Sequence, residues 1–174
     1  MLDAKVCYWY TGCVGLLVLD SSALITLAGA GALRLLTLSP HKACTVTEVY
    51  RETVEAGWGK ARAEAVEIAR CFDRKMVTIQ DPLGSEKLAG ISRTDSQVLL
   101  LAEETGAADL LTNDRTLLAK AEQRGLPACV TAEFVMELHE NGKISRKRRD
   151  RLLGDFLDRG RYSEEFLRAL LLGR

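Results

Sequence analysis

The stretch Leu16-Leu17-Val18-Leu19-Asp20-Ser21-Ser22-Ala23-Leu24-Ile25 decides how the rest of the chain is read. Four consecutive aliphatic residues without period-2 alternation are the pattern of a strand buried on both faces, and such strands belong to parallel sheets covered by helices. The run ends at a carboxylate followed by two serines. Ser21 or Ser22 is expected to cap a helix that opens at Ala23, because a side-chain oxygen there accepts from backbone N–H groups that have no partner in the first turn.

Outward from this unit, short apolar runs at 43–46, 110–112 and 129–131, with a weaker one at 76–79, alternate with amphipathic helical stretches. That alternation predicts an α/β fold with a parallel sheet. Thr47 before Glu48, and Thr94 with Gln97 three positions on, signal further helix starts. Gly57, Gly106, Gly125 and Gly142 each follow an apolar-periodic run and are expected just beyond helix ends. Residues 80–93, with Pro82, Gly84 and Gly90, read as a long loop. Residues 1–142 form the expected main domain, and 143–174 a basic helical extension packed on it.

Composition bounds the function. The chain has 174 residues, 47% hydrophobic and 28% charged, the profile of one globular domain large enough to need no disulfide or metal staple. Its 24 Lys+Arg balance 24 Asp+Glu, so bulk charge does not draw it to nucleic acid, yet residues 143–174 carry 10 basic groups against 5 acidic ones. Five cysteines without a C-x-x-C pair, and only two histidines, speak against a zinc site or a disulfide framework. Cys44 and Cys129 are expected as core residues. The apolar stretch 6–19 is too short and too polar to span a bilayer, so no membrane association and a cytoplasmic location are expected.

The carboxylates fall where this alternation would bring them together. Asp20 ends the first strand, Glu48 and Glu52 lie in the helix after the second, Asp95 opens the helix after the long loop, and Asp114 follows the run at 110–112 by two residues. In a parallel sheet the strand-to-helix junctions share one edge, so these groups converge if their strands are neighbours. Several carboxylates in one cleft repel each other, and a divalent cation with oxygen ligands relieves this. Asp20, Asp95 and Asp114 could each serve instead as helix caps, and Glu48 and Glu52 as a solvated helix face. Asp109 precedes its strand and is assigned to the opposite edge.

These residues carry a family resemblance. Leu19-Asp20-Ser21-Ser22-Ala23-Leu24-Ile25 resembles the opening motif of PIN-domain ribonucleases, the fold of VapC-type toxins. Val46-Thr47-Glu48-Val49-Tyr50-Arg51-Glu52 is similar to that family's second-acid helix, and Thr94-Asp95-Ser96-Gln97 to its third. Leu111-Thr112-Asn113-Asp114-Arg115-Thr116-Leu117 is similar to its T-N-D element, and all four arrive in family order.

The resemblance implies a three-layer α/β/α PIN-like fold with a five-stranded parallel sheet, an acidic cleft holding Mg²⁺ or Mn²⁺, and hydrolysis of RNA phosphodiester bonds. Asp20, Asp95 and Asp114 carry over as catalytic, metal-binding carboxylates. The second acid is either Glu52, which follows Val49 in a V-x-x-E pattern and is the favoured assignment, or Glu48. Ser22 and Asn113 match polar positions that support the first and last acids. Arg93 and Arg115, beside the acids, are the nearer candidates for contact with RNA. The run Arg146, Lys147, Arg148 and Arg149, with Lys143 and Arg151, is either a second basic flank or a solvated helix face. As a toxin the protein would have an antitoxin partner. A homodimer is also implied, with 167–172 as one candidate contact. A non-catalytic PIN-like module that binds RNA or protein is the alternative. A Rossmann-like small-molecule domain is disfavoured, because Ser21-Ser22-Ala23 offers no glycine-rich phosphate loop.

Overall fold

A computed structural model describes residues 14–59 and 63–173. Trp9, Cys7 and Cys13 lie outside the described residues. The first strand, β1 (Leu16–Leu19), has its last three side chains fully buried, as an unalternating aliphatic run requires. It leads into α1 (Ser21–Gly29), a 3₁₀ segment (Leu33–Leu38) and β2 (Lys42–Thr45). Next come α2 (Thr47–Tyr50), a π-helical turn (Arg51–Glu55), α3 (Ala56–Gly59), α4 (Ala63–Asp73) and the short β3 (Thr78–Ile79). After the long loop follow α5 (Arg93–Thr105), β4 (Asp109–Leu111), α6 (Arg115–Gln123), β5 (Ala128–Cys129) and α7 (Thr131–Glu140). Two helices, α8 (Arg146–Asp158) and α9 (Glu164–Leu171), complete the chain.

All four strand pairings are parallel, in the order β3-β2-β1-β4-β5. The chain winds outward from β1 in one direction, then crosses back to β4 on the other side. Because parallel crossovers are right-handed, reversing direction moves the helices to the opposite face. The helix contacts agree: α1 packs with α4 and α7, whereas α5 packs with α6. The result is the expected α/β architecture, a five-stranded parallel sheet flanked by helices. The reversal lies between β1 and β4, so the crevice at their carboxyl ends is the place where such sheets bind ligands. Among the described residues no helix is long and apolar enough to cross a membrane.

β1 has its expected bounds and β3 keeps only the last two of the four expected residues, whereas β2, β4 and β5 each start and end earlier than expected. Val46, Thr112 and Thr131 lie just past strand ends rather than within the strands; Val46 is the N-cap of α2 and Thr131 its own helix's first residue. Apolar character marks burial, and the first turn of a helix packed on the sheet is as buried as the strand that feeds it. Asp109 is the first residue of β4, opposite Leu17 at the far end of the strand from Thr112.

Helix starts also differ in who does the capping. Asp20, not Ser21 or Ser22, caps α1 by accepting from the Ala23 N–H. Ser92, not Thr94, caps α5, with Asp95 completing the capping box in place of Gln97. Thr47 caps nothing; its N–H and hydroxyl both donate to the Asp81 carboxylate, each at 2.7 Å, which pins the start of the long loop. Gly106 closes α5 in the left-handed conformation, as expected. Gly57 does not end a helix. A Cβ there would stand 2.7 Å from the Ala65 Cβ, so the glycine lets α3 approach α4.

The extension shares the core. Ile144, Leu152, Leu153, Phe156 and Leu167 are buried in the same hydrophobic cluster as the sheet. Leu171 and Leu172 are exposed, so the leucine-rich end divides between core and surface. Trp58 is 58% exposed on α3 and takes no part in the core. Cys44 is fully buried and burial pushes its thiol up to about 11, which makes it inert packing.

Two glycines provide opposite tests of this packing. Gly57→Ala is expected to destabilise the fold by about 1–3 kcal/mol through overpacking against Ala65. Gly154→Ala, in the middle of α8 with open space around the new methyl, is expected to stabilise it by about 0.5–1 kcal/mol. Urea unfolding of both variants measures the pair.

Candidate active site

Asp20 stands at the carboxyl end of the central strand and is only 3% exposed. Its burial follows from β1, which continues its buried run directly into the cap of α1. Ala23 N–H donates to Oδ1 at 2.8 Å, Thr112 Oγ1 to Oδ2 at 2.7 Å, and the Ser22 hydroxyl lies 2.9 and 2.8 Å from the two oxygens. Desolvation pushes the carboxyl up to about 6 from its ordinary 3.8, and these hydrogen bonds only partly offset it; the nearby Asp95 charge raises it further.

Thr112 connects the first acid to the last. Its hydroxyl donates to Asp20 and accepts from the Asp114 N–H at 3.0 Å. Asp114 caps α6, Oδ1 accepting from Thr116 N–H at 2.7 Å and Leu117 N–H at 2.9 Å. Asp95 spends Oδ2 in the same way, accepting from the Ser92 hydroxyl at 2.7 Å. Among the described residues, Asp114 Oδ2 and Asp95 Oδ1 accept no hydrogen bond. Asp114 therefore caps α6, and Asp95 closes the capping box of α5, each with one oxygen while the other stays available.

Of the two second-acid candidates, Glu52 joins the group and Glu48 does not. Glu52 accepts from the Ser21 hydroxyl at 2.7 Å and the Thr94 hydroxyl at 2.5 Å, residues adjacent in sequence to Asp20 and Asp95. It lies on the π-helical turn, a feature found most often where a helix must re-aim a functional side chain. Glu48 instead faces Arg51 at 4.0 Å.

Asp95 and Asp114 line an open pocket of about 540 Å³, together with Thr116, Ser92, Ile91 and Lys87. The loop forming its wall is fastened by Leu88 N–H to Ser96 Oγ and by Leu83 and Gly84 N–H to the Glu104 carboxylate. Arg93 and Arg115 are exposed at the first residues of α5 and α6. The run at 146–149 does not line the pocket; Arg149 is bonded to Asp150, and Arg146 approaches the same carboxylate at 3.7 Å. Asn113 supports the site more than its sequence position suggests. Its N–H donates to Ser22 Oγ at 2.8 Å, and its amide reaches Thr26 and Thr131. Sequence reasoning passed over Ser21, Ser92, Thr94 and Thr112 as individual members of the site. The signal available was the density of hydroxyl residues flanking the acids.

The donor set fits a hard divalent cation. All the candidate ligands are carboxylate oxygens, and none of the ion pairs among the described residues engages Asp20, Glu52, Asp95 or Asp114. Among the described residues no three acidic, His or Cys side chains already form a closed ligand cluster. Mg²⁺ tolerates this, because it keeps several waters and uses only one or two protein carboxylates.

Without a cation, acid favours the folded form at Asp20. The native carboxyl holds its proton up to about pH 6 and the unfolded one only to about 3.8, so this contribution is present below pH 3.8 and lost as pH rises towards 6. The loss amounts to about 3 kcal/mol for a shift of about two units. Asp20→Asn is expected to remove this slope between pH 4 and 6, as read by chemical unfolding in chelator.

A family model described as DUF3368, PIN domain, matches residues 16–174. A search of curated proteins gives no match. The crystal structure of PAE2754 from Pyrobaculum aerophilum superposes with a TM-score of 0.54 at 23% identity, covering 73% of this chain and 98% of that one, a likeness of fold. With the model spanning every element from β1 to α9, the chain belongs to the PIN-domain family.

Proposed function

We propose that the protein is a divalent-metal-dependent ribonuclease. The observation that carries this reading is the convergence of four carboxylates, from four strand-to-helix connections, with no cationic side chain among the described residues paired to any of them. A purely structural acidic cluster would be a net cost at neutral pH, and Asp20 already bears that cost through burial. RNA is the substrate class that the family resemblance implies.

Asp20 and Asp114 are the principal candidate ligands for Mg²⁺ or Mn²⁺, with Asp95 and Glu52 completing the set. The ion would supply a lowered pKa for water and charge neutralisation at the phosphate. The chain's own residues do the positioning. Ser22, Thr112 and the Ala23 N–H hold the Asp20 carboxylate in one orientation, and Ser21 with Thr94 fixes Glu52 in place. Asp95 Oδ1 and Asp114 Oδ2 face no competing donor among the described residues and are available to orient water or a cation. Lys87, which lines the pocket, and the exposed Arg93 and Arg115, close in sequence to Asp95 and Asp114, offer cationic groups to a polyanion that the acids alone would repel.

Wild type, Asp20→Asn and Asp114→Asn, incubated with labelled single-stranded and structured RNAs, test the reading. Cleavage is expected with Mn²⁺ or Mg²⁺, none in chelator, and a loss of at least about 100-fold in each variant. Asp114→Asn retains the oxygen that caps α6, so its melting temperature is expected to stay near wild type, which separates chemistry from folding. Calorimetry showing no divalent binding at millimolar concentration would overturn the proposal in favour of a non-catalytic binding module.

A further inference from the structure

The structure assigns a positioning role to Tyr162, a residue of the C-terminal extension, which locks the Asn113 amide and through it the seat of Asp20. Tyr162 lies between α8 and α9, tilted against Phe156 at 5.9 Å and stacked on Phe166 at 5.2 Å. Its hydroxyl is 2.5 Å from Asn113 Oδ1, 2.7 Å from Thr131 Oγ1 and 3.2 Å from the Ala132 N–H.

Donor counting together with the contact distances selects one arrangement. The Ala132 N–H can only donate to the phenol oxygen. Asn113 Oδ1 can only accept, so the single phenol proton goes there, and it also receives the Thr131 N–H at 3.0 Å. The Thr131 hydroxyl lies 2.7 Å from the phenol oxygen and 3.2 Å from Asn113 Oδ1; the shorter contact takes its proton, and the hydroxyl accepts from Asn113 Nδ2 at 3.1 Å. The ring runs from Asn113 Nδ2 through Thr131 and Tyr162 back to Asn113 Oδ1, and it specifies which end of the amide faces the tail. The other Nδ2 proton reaches Thr26 on α1.

The ring bears on the site through the backbone. With its side chain held, Asn113 directs its N–H to Ser22 Oγ at 2.8 Å, occupying a lone pair of that hydroxyl and leaving its proton for Asp20. The tail thus sets the orientation of a group that touches the central carboxylate, although it contributes none of the four acids. Burial pushes the phenol up to about 12, so Tyr162 stays protonated and able to donate throughout the neutral range.

The effect on catalysis rests on the nuclease reading; the coupling to the site does not. Tyr162→Phe keeps the ring contacts and deletes only the hydroxyl. In metal-free protein, amide hydrogen exchange at Asn113 and Ala23 is expected to accelerate at least about 10-fold, while Val18 and Leu110 in the sheet keep their protection. With Mn²⁺ as the probe, binding is expected to weaken about 10-fold, and RNA cleavage to lose kcat with KM unchanged. Unchanged exchange at Asn113 and Ala23, or equal acceleration across the sheet, would reduce Tyr162 to a packing residue and overturn the inference. Wild type that neither binds Mn²⁺ nor cleaves RNA would overturn the nuclease reading alone, since the exchange pattern still decides the coupling.

Discussion

A single carboxylate, Asp20, follows a strand whose last three side chains are buried and is itself almost wholly removed from water. Hydrogen bonds from Ala23, Ser22 and Thr112 favour its charged form, yet desolvation outweighs them and leaves the carboxyl up at about 6. Much of the surrounding structure can be understood as support for that group. Thr112 ties it to Asp114, Ser22 ties it to Asn113, and Asn113 ties it to the C-terminal extension.

Helix capping and metal ligation are usually weighed as rival explanations of an acid at a strand-to-helix junction. Here geometry makes them compatible. Asp95 and Asp114 each commit one oxygen to backbone or hydroxyl donors and, among the described residues, leave the other without a hydrogen bond. A cap of this kind contributes about 1 kcal/mol, enough to hold the side chain in one rotamer, so the helix start serves to orient the free oxygen. Asp20 is the exception: both its oxygens accept hydrogen bonds, which fix the orientation of the carboxylate at the centre of the cluster.

The topology explains why these residues meet. Crossing back from β3 to β4 puts β1 beside both β2 and β4, and the junctions after β1 and β4 open on one crevice. The π-helical turn adds a local adjustment, carrying Glu52 to the hydroxyls of Ser21 and Thr94 while Glu48 pairs with Arg51. The extension beyond β5 adds a third element, since α8 packs on α7 and Tyr162 reaches back to the Asn113 node.

The sequence by itself determined the class of sheet, the alternation of strands and helices, and the positions of Asp20, Asp95 and Asp114 at helix starts. These are short-range properties: an unalternating aliphatic run, a helical period and a polar residue at the boundary act within a few positions of each other. It also carried the Asp-Ser-Ser and Thr-Asn-Asp motifs on which the family resemblance rests. Only the tertiary structure joined Glu52, rather than Glu48, to Ser21 and Thr94, replaced Thr94 by Ser92 as the cap of α5, showed Gly57 to be a packing contact, and brought Tyr162 to Asn113. Each of these depends on a helix irregularity, on which of several neighbouring hydroxyls faces a free N–H, or on groups that meet only when separate elements pack. Local propensity is nearly silent about such contacts, because their geometry is set by how the helices settle on the sheet.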